Sequence, residues 1–332
     1  MGQQQKRALV SGGCGFVGRH FARRLLENDY RVTIVDDLST GLDVDEWPQR
    51  LRPDKNLRKN MDLHIADFRD FAKVNSPDYD LIIHLAAVVG GRMTIEGDPL
   101  SVATDLSIDA IFFNWLAKNQ ARQAEILYFS SSAAYPIKYQ TRSYHIPLSE
   151  QIINFERGID LPDMTYGWSK LSGEFLAKFA VDKYSLKIYI YRPFSGYGED
   201  QDLTYPFPSI LSRVLNRESP IMIWGSGEQL RDFIHIDDVI EAVFASFPRM
   251  KPGDALNLGS GIGVSFRELA QLACRVTGHR SEIINDASKP EGVFARIADC
   301  ARMFRYYKPR ISLAQGIERA GEFLLSRHIQ RR

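Results

Sequence analysis

The chain has 332 residues, and at roughly 150 residues per domain that length suggests about two domains or one large α/β unit. Hydrophobic residues make up 44% and charged residues 25%, which excludes disorder, collagen-like repeats and coiled coil as starting points. Lys and Arg number 42 against 41 Asp and Glu, a net charge of +1, which argues against nucleic-acid binding through bulk charge. In chain order, residues 8–10 (Ala-Leu-Val) read as a short apolar strand that stops at a glycine cluster. Residues 16–27 read as a helix, because Val17, Phe21 and Leu25 recur on one face. Strands follow at 32–35, 63–65 and 81–85, the last apolar as a strand buried on both faces should be. A long helix over 100–119, a strand over 126–129, a helix over 166–184 and a strand over 188–191 complete the regular part. Strands alternating with helices predict an α/β fold with a parallel, doubly wound sheet. From residue 193 the chain becomes rich in Pro, Gly and Tyr, and its segments shorten. The expected division is a unit over 1–192, completed by a later crossing near 235–260, and a smaller lobe over 193–332.

Cys14, Cys274 and Cys300 show no Cys-x-x-Cys spacing and are odd in number. A disulfide framework or structural zinc is not expected, and a reducing, cytoplasmic setting is. The seven histidines form no His-x-x-x-His pair, so no metal is expected. The longest apolar stretch, residues 81–91, contains His84 and is too short to span a bilayer. The first residues offer no apolar signal region, and no membrane partner is expected.

The first chemical motif is Gly12-Gly13-Cys14-Gly15-Phe16-Val17-Gly18, between a strand and a helix. Gly12 permits a tight turn, Gly15 lets a pyrophosphate approach the backbone, and Gly18 lets helix and strand pack closely. The amides of the helix start then face the phosphates. Asp36 closes the second strand about twenty residues further on, where a carboxylate hydrogen-bonds a ribose 2′-hydroxyl and repels a 2′-phosphate. NAD is therefore expected over NADP. Asp67, ending the third strand, is read either as an adenine contact or as a cap.

The second motif is Tyr166-Gly167-Trp168-Ser169-Lys170, which puts a phenol and an ammonium on one helix face. A phenol of pKa about 10 is a poor base at neutral pH, and a nearby ammonium brings it down. Ser130-Ser131-Ser132 ends the fifth strand, where a serine hydroxyl can share a substrate hydroxyl with Tyr166.

These residues identify a resemblance. The chain resembles the extended short-chain dehydrogenase/reductases of the nucleotide-sugar epimerase/dehydratase family. The resemblance is carried by residues 12–18, Asp36 to Gly41, His84-Leu85-Ala86-Ala87, Ser130 to Pro136, Tyr166 to Lys170, Arg192-Pro193-Phe194, and Arg231 to Asp238. It implies a Rossmann sheet that binds NAD and a carboxy-terminal substrate-binding lobe that holds a nucleoside-diphosphate sugar. It also implies a homodimer through the helices at 166–184 and 100–119. The implied cofactor contacts are Gly12, Gly15, Phe16, Val17, Gly18, Asp36, Asp37, Asp67, Phe68, Leu85, Ala86 and Ala87, with Tyr166 and Lys170. Ser131, Tyr166 and Lys170 carry the implied chemistry, Tyr166 taking the proton of a sugar hydroxyl, usually at C4. Ser131, Ser132, Tyr166, Ser195, Trp224, Arg231 and Arg296 are the implied substrate contacts, the two arginines at the diphosphate.

Departures narrow the activity. Aligned on Tyr135, the acids that dehydrating members carry are Ser132 and Ala133 here, and the glutamate of decarboxylases is missing. Val89-Gly90-Gly91, Tyr135-Pro136 and Pro290-Glu291-Gly292-Val293 with Arg296 are similar to GDP-mannose 3,5-epimerase and GDP-fucose synthase. Those enzymes have a cysteine where this chain has Ala133, and their Lys or His partner has no clear counterpart in residues 197–208. What remains is bare oxidation and reduction, which suits a nucleotide-sugar C4 epimerase. A 4-dehydrogenase or ketoreductase, a 3,5-epimerase and an NAD(H)-sensing binding protein stand as alternatives. The acidic run Glu199-Asp200-Gln201-Asp202 is read as a solvated loop or as a binder of a sugar substituent.

Overall fold

The computed structural model describes residues 5–74, 78–88, 92–119 and 124–330. Among them the strands are β1 Arg7–Ser11, β2 Arg31–Asp36, β3 Met61–Ile65, β4 Leu81–His84, β5 Glu125–Phe129, β6 Lys187–Pro193, β7 Ser195–Tyr197, β8 Ile221–Trp224, β9 Leu230–His235, β10 Ala255–Leu258, β11 Gly263–Ser265, β12 Ile283–Asp286 and β13 Ala295–Arg296. The α-helices are α1 Phe16–Glu27, α2 Lys55–Arg58, α3 Phe68–Val74, α4 Arg92–Gly97, α5 Pro99–Val102, α6 Asp105–Asn119, α7 Met164–Tyr184, α8 Pro206–Leu215, α9 Ile236–Ser246, α10 Phe266–Thr277 and α11 Leu313–Gln330.

Seven strands form one parallel sheet in the order β10-β6-β5-β4-β1-β2-β3. Val10 stands opposite Ile34 of β2 and Ile83 of β4, so the central strand is apolar on both sides. One face is covered by Phe21, Leu25 and Leu26 of α1 and by Val239 and Val243 of α9. The other is covered by Phe68, Phe112, Phe113, Leu116 and Ala177 from α3, α6 and α7. Both faces are thus buried under helices, as a parallel sheet requires. The strand order reverses between β1 and β4, which opens a crevice at their carboxyl ends.

The helix expected over 100–119 is two helices. Ala103 and Thr104 form a turn, closed by Leu106 N–H to Ala103 O at 3.1 Å and by Ser107 N–H to Thr104 O at 2.9 Å. The Ser107 hydroxyl also donates to Thr104 O at 2.8 Å. The stretch Pro99–Asn119 is long and apolar enough to cross a membrane by length and composition. In the fold, Ile108 is buried, and Phe112 and Leu116 are buried against the sheet.

After β6 the chain builds a lobe with its own core of Phe207, Ile210 and Leu211 from α8, Ile221 and Ile223 from β8, and Leu269 and Ala273 from α10. The lobe is not contiguous in sequence. Its β9 runs into α9, which packs on α1, and β10 then pairs in parallel with β6, Asn257 opposite Arg192. The chain returns to the lobe through β11.

Candidate active site

The glycine loop is built by exclusion of side chains. Gly12 has φ +72, and a Cβ there would stand 2.7 Å from the Ala86 amide nitrogen. A Cβ on Gly18 would collide with the Gly12 carbonyl. The loop therefore lies flat between β1, β4 and α1. The first bond of α1 runs from Arg19 N–H to Gly15 O at 3.0 Å, which leaves the amides of Phe16, Val17 and Gly18 without helical acceptors. These residues line a cleft of about 470 Å³. A backbone cradle of this kind fits a pyrophosphate.

Asp36 is buried at the end of β2. Its Oδ2 accepts the Cys14 N–H at 2.9 Å and its Oδ1 the Leu38 N–H at 2.9 Å. Burial raises its carboxyl above the ordinary value, and these amides partly offset that. The carboxylate thus braces the glycine loop from within. Asp37 instead turns to its own loop, accepting from the Ser39 N–H and hydroxyl at 2.9 and 2.6 Å. Asp67 starts α3, accepts the Arg69 N–H at 2.7 Å and pairs with the Arg69 guanidinium at 2.7 Å. The Phe68 ring is buried against His84, Phe112 and Trp115, so it offers a ligand only its backbone. Leu85 and Ala87 line the cleft. Val89, Gly90 and Gly91 lie outside the described residues.

The amino-terminal turns of α7 lie against the serine loop because residue 167 is glycine. A Cβ there would collide with the Ala133 carbonyl. That approach brings Tyr166 near Ser131, whose hydroxyl favours the phenolate. The Lys170 ammonium sits one turn along, 5.9 Å from the Tyr166 ring centroid. The sequence leads one to expect a phenol brought below its ordinary value. Burial outweighs the ammonium, and the phenol stands above that value. The Ser130 hydroxyl leaves the cleft edge for Glu174 Oε1 at 2.5 Å. Tyr135 is also internal: its hydroxyl donates to Asn257 Oδ1 at 2.6 Å and accepts from Arg192 at 3.0 Å. It ties β6 to β10 and does not shape the cleft.

The lobe supplies the opposite wall, with Ser195, Trp224, Arg231 and Arg296 on the cleft, while Ser132 lines it from the sheet side. Arg231 lies 5.5 Å from the Phe266 ring centroid. Arg296 donates to Gln140 Oε1 at 2.8 Å and to Asp163 Oδ2 at 2.7 Å, so its charge is already shared with a carboxylate. The acidic run divides: Asp202 is exposed and Gln201 lines the cleft, but Glu199 and Asp200 are buried and held by Arg19, His20 and Arg50 of the sheet unit. Arg19 Nε meets Asp200 Oδ2 at 2.5 Å, His20 Nε2 meets Asp200 Oδ1 at 3.0 Å, and Arg50 reaches Glu199 at 2.6 Å. His235 caps α9, accepting the Asp237 N–H at 3.1 Å.

Two further cleft residues come from the loop after β7. Gln201, inside the acidic run, lines the cleft, and its buried Oε1 has no hydrogen-bond partner among the described residues. Tyr205 stands at the N-cap of α8 and lines the same cleft, and burial with the neighbouring Tyr166 raises its phenol above the ordinary value. Tyr205 belongs to no motif, so only the path of that loop reveals it.

A family model described as the NAD dependent epimerase/dehydratase family matches residues 8–259. Among curated relatives, the chain is 30% identical over 320 residues to the "Putative UDP-glucose 4-epimerase" of Methanocaldococcus jannaschii, covering 94% of this chain and 96% of that one. It is 27% identical over 308 residues to the dTDP-4-dehydro-6-deoxy-D-allose reductase of Streptomyces bikiniensis, covering 90% and 89%. Among solved structures, the UDP-N-acetylglucosamine 4-epimerase of Methanobrevibacter ruminantium superposes with a TM-score of 0.79 at 25% identity, covering 98% of this chain and all (100%) of that one.

Proposed function

The chain belongs to the NAD dependent epimerase/dehydratase family, and from that premise we propose that it is a nucleotide-sugar 4-epimerase. One observation carries the reading. Ser131, Tyr166 and Lys170 stand on the sheet side of the same cleft whose lobe wall holds Trp224, Arg231 and Arg296. The glycine loop and the Phe16–Gly18 amides would hold the cofactor's pyrophosphate, with Asp36 at the end of β2 for its adenosine ribose, and Leu85 and Ala87 line the same cleft. Bound NAD would supply a reversible hydride acceptor. Tyr166 takes the proton from the sugar hydroxyl, Ser131 holds that oxygen by a hydrogen bond, and Lys170 supports the phenolate. Arg231, with Arg296, binds the diphosphate, and guanidinium geometry suits a phosphate oxygen pair. No carboxylate stands at residues 132 and 133 to eliminate water, so the sugar is returned with its carbon skeleton and hydroxyls intact.

The test is incubation with a panel of UDP-, GDP-, dTDP- and CDP-sugars, followed by proton NMR in deuterated water. The expected result is interconversion of C4 epimers with no net change in NADH and no deuterium at C3 or C5. Similarity to the reductase of Streptomyces bikiniensis favours a net ketoreductase as the second reading. Stoichiometric NADH consumption with a keto-sugar would replace the first reading by that one.

The active form is a homodimer built on α7. Trp168, Phe175 and Phe179 share one face of that helix and are 44%, 43% and 45% exposed, too large an apolar stripe for a solvated face. Light scattering on a sizing column should give the mass of two chains, and Phe175→Glu combined with Phe179→Glu should give the mass of one.

A further inference from the structure

Behind the Tyr166 phenol lies a buried polar cluster of which the proposed reaction uses only Lys170. Asp105 and Asp109 stand one turn apart on α6, Lys170 comes from α7, His84 from β4 and Tyr128 from β5. Their side chains are sealed from solvent, Lys170 at 4%, Asp105 at 1% and Asp109 at 2% exposure. Asp109 is fully engaged. Its Oδ1 lies 3.2 Å from His84 Nε2, and its Oδ2 accepts the Tyr128 hydroxyl at 2.6 Å. The other imidazole nitrogen meets the Ser11 hydroxyl at 2.7 Å, and burial lowers His84, which favours its neutral form.

Asp105 is different. Its Oδ1 accepts the Val88 N–H at 2.5 Å, but its buried Oδ2 has no hydrogen-bond partner among the described residues. What faces that oxygen is the Lys170 ammonium, 3.7 Å away. Asp105 and Asp109 therefore both act electrostatically on one ammonium, away from solvent, where charges are less screened than at the surface. That ammonium is also the one beside Tyr166.

We propose that Asp105 is a positioning residue that competes with Tyr166 for the Lys170 ammonium and so sets how readily the phenol gives up its proton. The proposal rests on the reading of Tyr166 as the base. Asp105 and Asp109 both disfavour the phenolate, against the help of Lys170 and Ser131. Tyr205 lies near it at the N-cap of α8, and there it is the Tyr205 phenol that is raised further by Tyr166. Glu174, further along α7, is taken up by a two-pronged pair with Arg192 at 2.9 and 2.6 Å. Asp105 is thus the one carboxylate of the cluster whose free oxygen is aimed at the shared ammonium.

The experiment titrates Tyr166 in the purified enzyme by its near-ultraviolet phenolate difference absorbance, with Tyr166→Phe as the blank. Asp105→Asn keeps the shape and an acceptor for the Val88 N–H. Its midpoint should fall by about one pH unit, or about tenfold more phenolate at a fixed pH below the midpoint. Asp105→Ser, neutral but smaller, should move it in the same direction, and the acid limb of the pH–rate profile should follow. A midpoint that stays or rises in the folded variants overturns the proposal. The titration needs no sugar, so a Tyr166→Phe enzyme that stays active refutes the parent reading without touching this result.

Discussion

Tyr166→Phe should lower turnover by on the order of 10² to 10⁴-fold and leave the bound dinucleotide in place. The substitution removes one oxygen. The glycine loop, braced by Asp36, stays intact, and the Gly167 contact that seats α7 on the serine loop is unchanged. Ser131 keeps its bond from the Ala133 N–H at 3.1 Å, so the serine loop retains its cap. What disappears is the group that accepts the sugar proton. Turnover and cofactor stoichiometry are to be measured on one preparation. Activity within about twofold of the parent enzyme would remove Tyr166 from the chemistry, and joint loss of the dinucleotide would make it a cofactor-holding residue instead.

Asp200→Ala should destabilise the fold by about 3–5 kcal/mol, the usual cost of leaving a buried cation, here Arg19, without its carboxylate. Asp200 is 1% exposed and serves Arg19 and His20 of α1 and Arg50 of the loop beyond β2. The guanidinium of Arg19 also donates to the Asp200 carbonyl at 2.6 Å. Burial alone raises this carboxyl, but His20 and Arg19 outweigh it and hold it well below its ordinary 3.8. Glu199 beside it, also desolvated, is brought to about 2 by His235 and Arg50. Depressed carboxyls stabilise the native state fully above their unfolded values and lose that contribution as the pH falls through the folded ones. Urea unfolding should therefore show the full gap between parent and Asp200→Ala at neutral pH. The gap should narrow below about pH 4, where unfolded Asp takes up its proton. An unchanged gap at acid pH would mean that the cluster works by packing and not by charge.

The sheet was largely legible in the sequence because its signals are local. Apolar runs bounded by polar turns mark β1, β2, β4, β5 and β6, while β3 is mixed, and the apolar face of α1 repeats within twelve residues. The glycine loop and the Tyr-Lys turn were legible for the same reason. The break at Ala103–Thr104 was not, since the apolar pattern continues across it. The long-range roles were also hidden. Nothing near Asp200 in the sequence announces Arg19, which lies 181 positions earlier. The acidic run reads as solvated when its partners are out of view. Tyr135 looks like a cleft residue beside a serine motif, yet Asn257, 122 positions later, pulls its hydroxyl inward. Asp105 reads as an ordinary first-turn acid, and only the crossing of α6 and α7 puts it beside Lys170.

The return of β10 to the flank of β6 has a bearing on modularity. Cutting the gene after Pro193 would not release a free-standing dinucleotide-binding cassette. It would strip β6 of its outer neighbour, leave the Tyr135 hydroxyl without its Asn257 acceptor, and bare a ladder of backbone groups that invites chains to stick to one another. Grafting a different sugar-binding half onto this cofactor-binding half therefore has to respect two crossover points in the chain, one on each side of the β9–α9–β10 excursion.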